Sequence, residues 1–321
     1  MDSKKSLVSA TVALCLIGAS SVHADTPYPV YPKTTPAEHF SSQVNANVQK
    51  VAGTCNTSDH TKIRQSLYVN IPGYYVRLDN TLEGRMCSSY TFPVRVGRHW
   101  TNHTDGKTKL METPVGTSRI IWKNFSVRFD RPRTHSTTYT PEGKRIRIPM
   151  PLKWMRSFLI RTKPENSNEY VFNCILHSTT DAYTIGTPAS HCCIGLNIDD
   201  MLALYGLVLP EQKNGEPKRE VPITLEYKVV EMEGKNVVLH ADIYEKNPDY
   251  SAKIHDELRR LGYADDNIDQ GKIDAALQLS KNQFNASYEK IRKKLLTGDF
   301  ITQQDKEGLH KKIAAQDLLK K

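Results

Sequence analysis

The chain has 321 residues, with 44 Lys and Arg against 35 Asp and Glu, and a formal net charge of +9. With 38% hydrophobic and 25% charged residues, its composition is that of a globular protein and excludes a disordered chain. No segment is long and apolar enough to span a bilayer as a helix.

The N-terminus reads as a cleaved secretory signal. Lys4 and Lys5 form a short positive region, and Leu7 to Ser21 is mostly apolar or small. Val22-His23-Ala24 then offers a cleavage site, with Asp25 as the mature N-terminus. The apolar stretch is shorter than the roughly 20 residues of a spanning helix. Cys15 does not make a lipoprotein site, because Leu14 stands where a small residue is required. The expectation is a periplasmic protein, peripheral to the envelope, with no transmembrane segment after cleavage of residues 1–24.

Residues 25–62 are polar, rich in Pro, Ser, Thr and Asn, and read as an extension. From Ile63 the pattern changes to short runs of Tyr, Val, Ile and Phe separated by turn residues. Ser66–Ile71, Tyr74–Leu78 and Tyr90–Val96 are expected strands, punctuated by Pro72-Gly73 and Glu83-Gly84. Ile120–Phe129, Arg145–Ile148, Tyr170–Leu176, Ile223–Val230 and Asn236–Ile243 continue the β pattern. One helix interrupts it, with Asn197 as N-cap and Asp199 and Asp200 in its first turn. A β domain over 63–246 follows.

After Pro248 the pattern becomes helical over Ser251–Leu261, Lys272–Phe284, Ala286–Leu296 and Thr302–Leu319. Residues 250–321 are therefore expected to form a small all-α module.

Charge and cysteine content narrow the chemistry. Ser118 to Lys163 holds twelve Lys or Arg and two acids, Asp130 and Glu142. Such a stretch attracts polyanions. An exported protein rarely meets nucleic acid, so an envelope polymer bearing carboxylates fits better; a solvated basic loop is the alternative. Cleavage removes one of the six cysteines, leaving Cys55, Cys87, Cys174, Cys192 and Cys193. An odd count in an oxidising compartment leaves one thiol without an internal partner. Cys55 and Cys87 flank the first strands and are expected to pair.

The segment from Leu176 to Tyr205 carries the chemistry. His177 ends an expected strand, and Cys193 lies sixteen residues later, ahead of the helix. A strand end and a returning loop can bring the two side chains together. An imidazole there would activate the thiol, giving a nucleophile and its base. Their alternatives are a structural thiol and a strand-end histidine.

This block resembles the L,D-transpeptidase (YkuD) catalytic domain, whose signature is a His followed after a spacer by Ser/Thr-His-Gly-Cys. His177, Ser190, His191 and Cys193 fall on that pattern. Phe92-Pro93-Val94-Arg95-Val96-Gly97, Thr113-Pro114-Val115-Gly116-Thr117, Val221-Pro222-Ile223-Thr224 and His240-Ala241-Asp242-Ile243-Tyr244 resemble further strand and turn motifs of the family.

The resemblance implies a mainly β catalytic domain, a YkuD-like β-sandwich with few helices. It also implies acyl transfer on peptidoglycan stem peptides, without metal or organic cofactor. Cys193 would attack the carbonyl between an L-centre and a terminal D-residue, and a thioester would form. An acceptor amine would make the enzyme a transpeptidase, and water a carboxypeptidase. The Ser178 carbonyl would orient His177, and the backbone N–H groups of Cys192 and Cys193 would serve as oxyanion donors. His191 would line or position the site. Ser190 would bond either substrate or the local turn. Tyr183 and Gly195 would lie along the substrate. In the C-terminal module, Leu258-Arg259-Arg260-Leu261-Gly262-Tyr263, Ile268-Asp269, Ala275-Ala276-Leu277 and Gln283-Phe284 resemble a degenerate peptidoglycan-binding domain.

Two residues depart from the family pattern. Cys192 replaces the usual Gly, which tolerates unusual backbone angles, and is expected to bond elsewhere or be buried, with Cys174 the nearest partner. Gly195 stands where many members have Arg, so donor recognition is expected to differ: a nearby Arg or Lys supplies the charge, or a different bond is used, or activity is weak. These departures keep open an inactive wall-binding or scaffold homologue.

Overall fold

The computed structural model describes residues 62–100, 111–120, 174–179, 181–208, 221–246 and 248–321, together with Cys55. It also gives the backbone of strands at 48–49, 101–104, 107–110, 121–124, 135–139, 145–149, 157–163, 212–213 and 216–217. The expected signal peptide and most of the extension and basic stretch lie outside the described residues.

The protein is built on a nine-stranded sheet. Its strands in chain order are β1 (Val48–Gln49), β2 (Ile63–Asn70), β3 (Tyr75–Leu82), β4 (Arg85–Pro93), β5 (Gly116–Asn124), β6 (Ser157–Lys163), β7 (Ile175–Thr179), β8 (Ile194–Asn197) and β9 (Val221–Glu226). In space they run β1-β4-β3-β2-β9-β5-β6-β7-β8. The β2–β3–β4 meander is antiparallel, whereas β9 joins β2 in parallel and β8 joins β7 in parallel. The parallel β7–β8 pair at the sheet edge creates the site described below.

Alternation builds the core. In β2 Leu67 and Val69 are buried, in β3 Val76 and Leu78, and in β9 Val221, Ile223 and Leu225. Side chains two residues apart share a sheet face, so these positions form one apolar surface. Each fully buried aliphatic side chain contributes about 1.5–3 kcal/mol relative to exposure. A disulfide between Cys55 and Cys87, with Cα atoms 5.1 Å apart, ties the extension to β4.

Helix α1 (Ile198–Leu207) follows β8 directly. Asn197 caps it, accepting from the Asp200 backbone N–H at 2.8 Å, and Asp199 and Asp200 favour its positive end. This matches the expected capping pattern.

The C-terminal region is more closely joined to the sheet domain than its sequence suggests. α2 (Tyr250–Arg260) is capped by Asp249, and α3 (Gln270–Thr297) by Asp269. The two helices expected over Lys272–Leu296 are one, because no Gly or Pro interrupts the run between them. It ends at Gly298, which takes a left-handed φ of 76°.

The helix expected over Thr302–Leu319 is a correction. The segment is α-helical only over Gln303–Lys306, and continues into a strand, β10 (His310–Ala314), and a 3-10 turn at Ala315–Leu318. β10 pairs antiparallel with Asn236–His240, which itself pairs with Val230–Glu233. The available edge of that hairpin overrides local helical preference. Ile254, Leu258, Ile273, Phe284, Ile291 and Leu309 join the same hydrophobic cluster as Leu67, Val76 and Ile223.

Strand β6 was not expected from the sequence either. It sits between β5 and β7, and its Arg161 and Lys163 mask the β pattern.

Candidate active site

His177 and Gly195 lie opposite each other in the parallel β7–β8 pair. Leu176, Ile194 and Leu196 are fully buried in the core. Alternation therefore sets His177 and Gly195 toward the other face. Cys193 stands immediately before β8, is half-buried and is in no disulfide. Cys193 thus stands two residues before Gly195, the residue opposite His177 in the pair.

His177 Nδ1 lies 2.7 Å from the Ser178 carbonyl oxygen. A carbonyl only accepts, so Nδ1 carries the proton and Nε2 keeps the lone pair. Burial, and then the positive charge of Arg95, push the imidazole pKa down to about 4, against a smaller opposing effect of the Ser178 bond. At neutral pH the ring is therefore uncharged and able to accept a proton.

Cys192 keeps the backbone angle that its glycine-like position demands. Its φ is 91°, a region unfavourable for residues bearing a Cβ. Two restraints act on it. Its side chain is disulfide-bonded to Cys174 on the approach to β7, with Cα atoms 5.5 Å apart. Its carbonyl accepts from Thr113 Oγ1 at 2.8 Å. The Thr113 hydroxyl oxygen also accepts from the Gly97 N–H at 2.8 Å. The Thr113 N–H donates to the Tyr244 hydroxyl at 3.0 Å, and that hydroxyl donates to the Gly97 carbonyl at 2.9 Å. A Cβ on Gly97 would stand 2.2 Å from the Met111 carbonyl and 2.8 Å from Cys192 Cα, so only glycine fits there. Ser190 Oγ donates to the Cys193 carbonyl within the local turn.

Gly195 is covered by the Arg95 side chain. The Arg95 and Gly195 backbones exchange hydrogen bonds of 2.8 and 3.0 Å. A Cβ on Gly195 would come within 2.6 Å of Arg95 Nε. Arg95 Nη1 donates to Asp181 Oδ2 at 3.2 Å and Thr184 Oγ1 at 3.1 Å. Burial raises the Asp181 pKa, opposed by Arg95.

The loop between His177 and Cys193 rests on the C-terminal region. Tyr183 stacks on Phe300 with ring centroids 5.0 Å apart. Lys306 Nζ donates to the Ile185 carbonyl at 2.6 Å. Tyr183 is thus engaged with the protein's own aromatic ring. His191 is exposed, and its Nε2 adjoins Arg98 Nη2.

Sequence reasoning singled out neither Thr113, Tyr244, Asp181 nor Phe300. Thr113, Tyr244 and Arg95 lay inside quoted motifs, but their contacts span tens of residues and leave no local signal. No cluster of three or more His, Cys, Asp or Glu able to hold a metal occurs among the described residues. No helix among them is long and apolar enough to cross a membrane.

The sequence model of the L,D-transpeptidase catalytic domain, YkuD, matches residues 64–238. No match is found among curated proteins. Similar solved structures include an L,D-transpeptidase from Xylanimonas cellulosilytica, at 15% identity and a TM-score of 0.31, over 54% of this chain and 63% of that one. Bd1075 of Bdellovibrio bacteriovorus is similar at 13% identity and a TM-score of 0.32, over 56% and 51%. The helical cell shape determining protein Pgp2 of Campylobacter jejuni is similar at 12% identity and a TM-score of 0.31, over 60% and 56%. The chain thus spans less than two thirds of the length of each of these proteins.

Proposed function

The chain belongs to the L,D-transpeptidase catalytic domain family, and on that premise we propose that it performs cysteine-dependent acyl transfer on peptidoglycan stem peptides in the periplasm. The observation that carries this reading is the placement of His177 opposite Gly195, beside the strand that Cys193 opens.

The reaction follows from the protonation states. His177 Nε2 accepts the Cys193 thiol proton as sulfur attacks the carbonyl before the terminal D-residue. The backbone N–H groups of Cys192 and Cys193 stabilise the oxyanion, and the rigid Cys192 backbone pre-sets their direction. The imidazolium then returns its proton to the departing amine of the D-residue. A thioester remains on Cys193. An acceptor amine from a second stem attacks it, His177 takes the proton of that amine, and the cross-link forms as the thiol is released. Ser178 keeps the imidazole tautomer fixed throughout, and His191 lines the entrance.

Water in place of the amine gives a carboxypeptidase. Disaccharide-tetrapeptides incubated with the purified protein, with products read by mass spectrometry, distinguish the two. The proposal expects cross-linked dimers. Tripeptides alone would establish hydrolysis instead. Absence of either product would favour a wall-binding homologue without activity.

A further inference from the structure

Position 195 carries no side chain, yet a guanidinium occupies the space above it. Arg95 reaches there from the neighbouring segment, and the close approach of Nε explains why residue 195 is glycine. The Arg95 side chain is 14% exposed, so its charge is largely withdrawn from water. Its charge bears directly on His177. Nη1 is committed to Asp181 and Thr184. Nε is buried without a hydrogen-bond partner among the described residues. A guanidinium has five N–H donors, and Nη2 makes no bond to those residues, so donor capacity remains. Asp181 and Thr184 fix the group by one nitrogen, which lowers the ordering cost of binding an anion.

We propose that Arg95 is the specificity-determining cation of this site, and that it recognises the terminal carboxylate of the donor peptide. The inference rests on the stem-peptide reading above, because the residue expelled from such a donor ends in a carboxylate. The acid lies on the far side of the scissile bond from the acyl group. A cation beside the Cys193–His177 pair therefore selects peptides cut at their last residue over those cut internally. Arg98 is the competing cation. It adjoins the exposed His191 and lies 5.0 Å from the Trp100 ring centroid.

The test compares two probes: a disaccharide-tetrapeptide with a free terminal carboxylate, and the same compound with a terminal carboxamide. Binding to Cys193→Ala is measured by calorimetry, and turnover by the wild type is measured separately. The carboxamide is expected to bind about ten- to a hundredfold more weakly, the range for losing a charge-assisted hydrogen bond. Arg95→Gln, placed in the Cys193→Ala chain, should weaken the carboxylate probe to the carboxamide level and leave the carboxamide unchanged. Arg95→Ala removes the obstruction over Gly195, so Arg95→Ala combined with Gly195→Arg should restore discrimination. A purely structural Arg95 would not be rescued in this way.

Equal binding of the two probes overturns the proposal, and this comparison needs no Arg95 variant to fold. So does loss of discrimination in Arg98→Gln with retention in Arg95→Gln. Turnover without discrimination removes the role of Arg95 and leaves the enzyme reading standing. Discrimination in binding without turnover supports Arg95 and removes the enzyme reading.

Discussion

The Thr113 hydroxyl donates to the Cys192 carbonyl at 2.8 Å, across 79 positions of sequence. That bond fixes the peptide just before the proposed nucleophile. Thr113→Val keeps the shape but removes the donor. It should lower kcat about tenfold with little change in KM, because the displaced peptide carries a proposed oxyanion donor. Stability should fall by about 1–3 kcal/mol, the cost of leaving buried polar groups unsatisfied. Steady-state kinetics and urea unfolding check both, and an unchanged kcat would remove Thr113 from the account.

The Cys174–Cys192 disulfide and the left-handed backbone at Cys192 make separable contributions. Cys174→Ser with Cys192→Gly removes the cross-link but accommodates the φ of 91°. This double variant should lose about 2–4 kcal/mol of stability yet keep most of its activity when folded. Cys174→Ser with Cys192→Ala should be less stable by a further 1 kcal/mol or so, because alanine is strained at that angle. Unfolding midpoints of the two variants give the comparison. Equal midpoints would show that the backbone angle is not what selects a glycine-like residue there.

The depressed His177 pKa sets the acid limb of the rate profile. With the neutral imidazole as the proposed base, kcat/KM should fall as pH drops through about 4, rather than through the ordinary histidine value of 6.5. Removing the positive charge in Arg95→Gln should move the limb upward, while burial holds it below the ordinary value. A limb that does not move in Arg95→Gln would show that the charge of Arg95 is not felt at the imidazole.

His310 gives a matching stability effect. Burial, and then His240, depress its pKa to about 3. In the unfolded chain it binds a proton near pH 6.5. Between those values the unfolded state holds more protons, so folding stability falls as pH falls from about 6.5 toward 3. Each pH unit of that window costs at most about 1.4 kcal/mol for this group. His310→Gln should flatten the dependence of the urea midpoint on pH, and an identical slope would contradict the assignment.

The C-terminal region should not be separable. β10 completes a sheet with Asn236–His240, and Ile254, Leu258 and Leu309 belong to the common core. A chain ending at residue 248 should therefore lack a cooperative unfolding transition. Phe300→Ala is the milder probe. It removes the ring stacked on Tyr183 and should loosen the loop that holds Asp181 and Thr184. The change should raise KM for the donor more than it lowers stability.

Much of the fold was legible locally, and so was the block that holds the proposed reacting pair. His177, Ser190, His191 and Cys193 form a short ordered block, and Asn197 with Asp199 and Asp200 is a capping pattern readable at a glance. Cys192 sits where glycine belongs, which left it either bonded elsewhere, with Cys174 as nearest partner, or buried, and the structure gives the bond to Cys174. Contacts set only by tertiary packing could not be read. β6 hides among arginines and lysines, and β10 is a strand because a hairpin edge awaits it. Arg95 explains Gly195, but nothing in either residue's neighbourhood reveals that they meet.

The most direct test follows the sulfur of Cys193. Wild-type protein and Cys193→Ala are incubated with a disaccharide-tetrapeptide, quenched in acid, and analysed as intact protein and as released products by mass spectrometry. The account predicts a tripeptide acyl adduct on Cys193, release of the terminal D-residue and formation of dimers in the wild type, with none of these in Cys193→Ala. The same products from both proteins would contradict it.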